Sequence, residues 1–375
     1  MDMTGFFDSS ARGLDFRIRR YRHDDLGAFE RFWNAQGGAA FASRRVNAFR
    51  RLVEGNPFSA THNDYLVLEI EGRVAAYEGI MPFRFSVSGE DVDGFIYHDT
   101  MVDPEMRGRG LGKRFVKSIL EACPEFSVAV WMNAPNMRVF ERCGWLPVDS
   151  LPTYVRGYTI RNMVKTRLPV FNHAAEASVG ALAGLLYRLE KSLSDYSFRG
   201  YDVGIVESFD ERVDALFHAV RREFPFIAFR TGDVLNWKFM DSPSCRFVRM
   251  ICSRGTELQG YLVFRVRDSH DGRRIATVYD FLCPPRRIDV FLALMRRAVI
   301  EIERQRPDTL EVLCTDRRFA GALKRLMFVR ARDNPGALKY IHAESADPPP
   351  GIGRGENWFF TFGDGDRVFW DFDPG

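Results

Sequence analysis

The chain has 375 residues with 53 basic and 50 acidic side chains, so no global field recommends nucleic acid as a partner. That length is more than one core usually serves, and two domains are expected. Only seven basic residues are Lys; the excess of Arg suits phosphates and carboxylates but reads equally as solvated surface, and six Cys without a C-x-x-C pair exclude a zinc or disulfide framework.

Residues 1–20 carry charges throughout with no apolar centre, so no signal peptide is expected. The longest low-charge stretch, 177–187, is far shorter than the ~20 residues of a membrane span. A soluble cytoplasmic protein follows, with reduced cysteines and no metal.

Residues 1–13 show no period and read as a loose start. Phe16–Tyr21 alternates as a strand. Asp24 or Asp25 then caps a helix with Leu26, Phe29, Phe32 and Trp33 on one face. Tyr65–Ile70 and Val74–Phe85 flank a Glu71-Gly72 turn as a hairpin, and Pro82 suggests a bend or an edge in its second strand. Phe95–Val102 is a strand stopped at Asp103-Pro104. After it comes Arg107-Gly108-Arg109-Gly110-Leu111-Gly112, then a helical pattern with Leu111, Phe115, Ile119 and Leu120 on one side. Phe126–Trp131 is a strand, Asn133–Trp145 holds a short helix closed by Gly144, and strands at Leu146–Val148 and Thr153–Thr159 are expected to complete this sheet.

The pattern then restarts. Val203–Val206, Phe247–Cys252, Leu258–Val266, Ala276–Cys283 and Thr309–Cys314 read as strands; Asp210–Arg222, Val290–Ile302 and Phe319–Met327 read as helices; Phe328–His342 holds the closing strands. YHDTMVDP (97–104) lies over VYDFLCPP (278–285), and FERCGW over LKRLMF, which points to a tandem duplication. The expected division is 14–165, a linker helix in 166–200, a second copy in 201–344, and a C-terminal tail in 345–375 that docks on the body.

A strand feeding through glycines into a helix start aims several N–H groups and the helix dipole at one spot, which suits phosphate. Gly108, Gly110 and Gly112 let an oxyanion approach, while Arg109 and Lys113 add charge. A G-x-x-x-x-G-K-[ST] loop would need Gly at 107 and Ser or Thr at 114, where Arg stands at both positions. A G-x-G-x-x-G fingerprint from Gly108 would need Gly in place of Lys113. Neither nucleotide motif is present.

R-x-x-G-x-G after V-x-P-x-x resembles the acyl-CoA pyrophosphate loop of the GNAT superfamily of N-acyltransferases, and Asn133 through Gly144-Trp145 resembles that family's second signature. The resemblance implies an α/β (α+β) fold of two tandem GNAT-like domains, each a mixed, mostly antiparallel sheet flanked by helices. It implies acetyl-CoA as co-substrate, with Thr100, Met101 and Val102 along the pantetheine arm, Arg107, Gly108, Arg109, Gly110, Leu111, Gly112 and Lys113 around the pyrophosphate, and Asn133 and Asn136 beside the arm. The expected activity is transfer of an acyl group, in the first instance acetyl, to the primary amine of a small polar acceptor such as an amino sugar or amino acid. No nucleic acid or membrane partner is implied.

Many family members carry Tyr as thiolate acid where this chain has Phe140. That departure keeps open a second class, a non-catalytic acyl-CoA sensor or assembly subunit. For a general base, His98, Asp99 and Glu78 are the candidates. His98 has a suitable ordinary pKa but could be a packed core histidine; Asp99 has a counterpart in Asp280, which favours a structural role; Glu78 could be an edge carboxylate. Trp237, Lys238 and Phe239 are further candidates to touch the acceptor, against a core reading. In the second copy Arg286–Phe291 replaces the glycine turn and brings Asp289, so that copy should not serve CoA, and is expected to shape the acceptor site instead. Asp364 and Asp366 read as turn residues, since the other ligands of a calcium loop are missing.

Overall fold

The computed structural model describes residues 7–11, 14–59, 65–108, 111–122, 126–149, 151–158, 200–242, 245–269, 271–331, 340–342 and 348–369. The expected helix at 173–191 and most of the 166–200 linker lie outside the described residues.

In chain order the elements begin with β1 (Phe7–Ala11), β2 (Leu14–Arg20), α1 (Leu26–Glu54), β3 (Tyr65–Ile70), β4 (Arg73–Val87), β5 (Glu90–Val102), α2 (Leu111–Ala122), β6 (Phe126–Ala129), α3 (Ala134–Arg142), β7 (Leu146–Pro147) and β8 (Thr153–Gly157). They continue with β9 (Asp202–Val206), α4 (Arg212–Val220), β10 (Phe226–Ala228), α5 (Gly232–Lys238), β11 (Val248–Arg254), β12 (Glu257–Asp268), β13 (Arg274–Leu282), α6 (Ile288–Glu303), β14 (Thr309–Leu313), α7 (Arg317–Arg325), β15 (Val329–Arg330), β16 (Tyr340–His342) and β17 (Trp358–Phe359). The protein is mixed α/β, with two sheets flanked by helices.

The first unit comprises Met1–Ser150, Pro335–Gly355 and Gly365–Gly375. Its strands run β1-β2-β3-β4-β5-β6-β16-β7. Glu71 and Gly72 both take positive φ, the geometry of a tight hairpin turn joining β3 to β4. β5 and β6 are parallel, with α2 as the crossover between them. Successive strand residues point to opposite faces. Leu66, Leu68 and Tyr97 therefore join Leu111, Phe115 and Val116 of α2 and Phe140 of α3 in one buried core. Tyr65 and Tyr77 instead meet Phe29 of α1 at ring separations of 5.9 and 4.9 Å.

The second unit comprises Leu151–Asn334 and Glu356–Asp364, with strand order β15-β8-β14-β13-β12-β11-β9. β11, β12 and β13 are antiparallel neighbours and β14 runs parallel to β13, with α6 between them. That is the sense and order of β3 to β6. The register also repeats: Tyr77 faces Met101, two residues past Asp99, and Tyr261 faces Leu282, two residues past Asp280.

Residues 7–11 are not a loose start but pair antiparallel with β2. Thr153–Gly157 does not complete the first sheet; it lies antiparallel to β14 in the second. Conversely Tyr340–His342 pairs with β6 and β7 in the first sheet. Alternation marks a segment as a strand but leaves its partner open, and the edges beside β6 and β14 each accept the distant segment. Pro82 lies inside β4, beyond the last β3 pair at Gly79, and its carbonyl accepts a hydrogen bond from Asn56 at 3.1 Å.

Candidate active site

Two local features of β5 build the site. β6 pairs with it only from Gly94 to Tyr97, so among the described strands the remainder, His98–Val102, has β4 as its neighbour and nothing on the β6 side. Within that stretch Tyr77 faces Met101 and Gly79 faces His98, which leaves Glu78 alone opposite Asp99 and Thr100. The extra residue is a β-bulge, and Asp99 takes it up with a φ of 52°. The splayed, bulged strand thus presents backbone and side chains at an opening in the sheet.

The turn after β5 is locally determined. The Asp103 carboxylate accepts from the Glu105 N–H at 2.9 Å, starting a short 3-10 turn, and the Arg107 Nε donates to the Val102 carbonyl at 3.2 Å. Gly108 has a φ of 77°, where a side chain would be strained, and open space surrounds its Cβ direction. Arg109 and Gly110 lie outside the described residues. Leu111 opens α2 and is buried, whereas Lys113 in the first turn is exposed. Gly112 faces Val139 of α3, where an added Cβ would make ordinary contact at 3.8 Å. A helix start with adjacent cations and an unobstructed glycine fits a diphosphate.

Asn133 caps α3, its side-chain oxygen accepting from the Asn136 N–H at 3.0 Å. Phe140 is buried, with ring centroids 4.8 Å from Trp145 and 6.4 Å from Tyr97. The Tyr97 hydroxyl is turned to Ser127 at 3.3 Å. Neither side chain offers a proton at the opening.

The three candidate bases differ sharply in their surroundings. Asp99 forms a buried ion pair with Arg45 of α1 and accepts from the Tyr77 hydroxyl at 3.4 Å, while Trp33 Nε1 donates to that hydroxyl at 2.8 Å. Burial pushes the Asp99 carboxyl up, and the Arg45 guanidinium opposes that rise. Glu78 is 1% exposed; burial raises its carboxyl well above the ordinary range against a hydrogen bond from Thr100, and its Oε2 has no partner among the described residues. His98 packs edge-on against Tyr65 at 5.4 Å, and both ring nitrogens lack a hydrogen-bond partner among the described residues. A Cβ at Gly79 would come within 2.4 Å of the imidazole ring, so the absence of a side chain there is what lets the ring lie across β4. Buried polar atoms without partners are costly in a native fold.

One residue near this cluster was read from the sequence only as a turn. Asp366 is buried, and its Oδ2 lies 3.5 Å from His98 Nδ1. Nothing local in the sequence could place it there. Trp237, Lys238 and Phe239, by contrast, are buried within the second unit, where the Lys238 ammonium donates to the Gly363 carbonyl at 2.9 Å.

In the second unit the start of α6 is already filled. Arg287 bonds Gln259 at 3.2 Å, Asp289 at 3.2 Å and the Tyr201 hydroxyl, which in turn donates to Asp289. Although burial works against it, those hydrogen bonds hold the Asp289 carboxyl below the usual range. The opening between β13 and β14 is crossed by the chain itself: Gly363 N–H donates to the Tyr279 carbonyl at 2.6 Å, and Phe360 N–H donates to Thr315 Oγ1 at 3.3 Å. Asp280 pairs with Arg230 at 3.2 Å and accepts from Tyr261 at 3.0 Å, the same Tyr-Asp-Arg grouping as Tyr77, Asp99 and Arg45. Among the described residues no group of three or more His, Cys, Asp or Glu side chains is placed to hold a metal ion, and no helix is long and apolar enough to cross a membrane.

Residues 17–148 match the family model of the acetyltransferase (GNAT) domain. The fold is similar to that of a GCN5-related N-acetyltransferase from Anabaena variabilis, at a TM-score of 0.53 and 12% identity, covering 87% of this chain and 72% of that one. It is also similar to Saccharomyces cerevisiae N-myristoyltransferase with bound myristoyl-CoA, at 0.56 and 12%, covering 92% and 86%. A GCN5-related N-acetyltransferase from Kribbella flavida gives 0.51 and 14%, covering 81% and 65%. At these identities the likeness speaks for the fold. No curated protein matches by sequence.

Proposed function

We propose that the first unit transfers an acyl group from acyl-CoA to the primary amine of a small acceptor, and that the second unit is a degenerate copy without a CoA site. The observation that carries this reading is the splayed, bulged β5 leading through Gly108 to the start of α2. Acyl-CoA supplies an activated thioester whose carbonyl needs polarising and whose thiol must leave. Backbone along Thr100, Met101 and Val102 serves the arm and the carbonyl; Arg107 and Lys113, with the N–H groups at the start of α2, hold the diphosphate.

His98 takes the proton from the attacking amine, because its unpartnered nitrogens lie beside the bulge in a site that excludes bulk water. Glu78, whose carboxyl burial pushes upward, lies next to the bulge as a polar neighbour of the reacting groups. Asp99 holds the bulge through Arg45 and Tyr77 and does not react. With Phe140 in the core, the thiolate leaves without help from that position.

The reading is tested by amine-dependent release of thiol from acyl-CoA esters of increasing chain length, using a panel of amino sugars and amino acids. His98→Ala should lower turnover by roughly 10²-fold or more with CoA affinity retained. CoA binding without turnover on any amine would favour the sensor reading, and near-normal turnover by His98→Ala would move the base to Glu78.

A further inference from the structure

The C-terminal segment that enters the first unit is built in with unusual economy. Gly365 lies so close to the Trp131 indole that a Cβ there would collide with it. The Arg367 guanidinium stacks over the same indole at 4.4 Å, and Arg51 of α1 donates to the Phe369 carbonyl at 3.4 Å. Val368 and Phe369 are fully buried. Three separate contacts therefore fix the backbone on both sides of Asp366, whose own side chain is 9% exposed and ends 3.5 Å from His98 Nδ1.

We propose that Asp366 is a positioning residue for His98: its carboxylate accepts from Nδ1–H, fixes that tautomer, and leaves Nε2 bare to take a proton. The proposal rests on the reading of His98 as the proton acceptor. The groups around the ring leave few alternatives for this duty. Tyr65 from β3 packs edge-on to it, Gly79 from β4 has no side chain, and Asp99 is occupied by Arg45 and Tyr77. The spacing of 3.5 Å is long for a hydrogen bond in the resting protein, a common condition for groups that tighten when charge develops. On protonation of Nε2 the imidazolium would gain an anionic neighbour in a water-excluded place, where such a pairing is strongest.

The test uses the full chain carrying Asp366→Asn, which keeps shape and removes charge, and Asp366→Glu, which keeps charge. Nitrogen NMR of ring-labelled His98 reads the tautomer independently of activity, and thiol release with the best amine reads turnover. The proposal expects the Nδ1–H form in the parent chain, its loss in Asp366→Asn, a fall in kcat of tenfold or more with the KM for acyl-CoA held, and partial recovery in Asp366→Glu. An unchanged His98 tautomer in a folded Asp366→Asn chain overturns it. A lost tautomer with unchanged kcat leaves Asp366 as the partner of His98 and instead removes His98 as the base, so the two failures are told apart.

Discussion

Replacing Arg45 by Met should reveal what Asp99 is for. The Arg45 and Asp99 side chains are 7% and 6% exposed, and the Tyr77 hydroxyl donates to the same carboxylate at 3.4 Å. Removing the cation strands a carboxylate in the interior, and breaking a buried pair from one side costs about 3–5 kcal/mol. Asp99→Asn in the same chain removes the charge while keeping an oxygen for Tyr77, so the double variant should regain most of that loss, leaving about 1–2 kcal/mol. Urea denaturation of the parent, both single variants and the double variant measures the coupling. A Met variant within about 1 kcal/mol of the parent, or a double variant no more stable than Arg45→Met alone, would refute the reasoning. Either result would return Asp99 to the list of reactive groups.

Two further outcomes follow from other places in the structure. Lys238 is buried, and burial lowers its ammonium to about 8 from 10.5. Between those values the unfolded chain holds that proton more often than the folded one, so the Lys238 contribution to stability should rise with pH across that interval, by up to roughly 3 kcal/mol. Lys238→Met should flatten that rise in melting curves taken from pH 7 to 10.5; an equally steep rise in the variant would contradict it. Gly79→Ala should drive the His98 ring out of place, lowering turnover in the thiol-release assay while leaving CoA affinity near the parent value; unchanged turnover would mean that the ring position is not needed.

Much of this was legible in the sequence because it depends on neighbours in the chain. The β3–β4 hairpin, the Gly108 turn and the Gly144 end of α3 are each set by residues a few positions apart, and β9, β11, β12, β13, β14, α4, α6 and α7 of the second unit follow from periodicity, whereas β10 and α5 gave no such signal. What escaped were pairings made over distance. Arg45 and Asp99 are 54 residues apart, and Asp366 approaches His98 from near the end of the chain. The exchange of β8 and β16 between sheets was hidden for the same reason, since two short apolar strands fit either edge. The retained Asp99 and Asp280 were a usable signal: a residue kept where the glycine turn is lost answers to the fold, and both prove to be held by an Arg and a Tyr.

The proposed division between a cofactor-binding first unit and a filled second unit is tested most directly by calorimetric titration of acetyl-CoA into the full chain and into Lys113→Glu. Lys113 is exposed in the first turn of α2, and an acidic residue there suits the helix dipole, so the variant should fold as the parent does. One acetyl-CoA per chain is predicted, with affinity at least tenfold weaker in Lys113→Glu, a loss of about 1.4 kcal/mol. Two equivalents per chain, or one equivalent bound with unchanged affinity by the variant, would contradict the account.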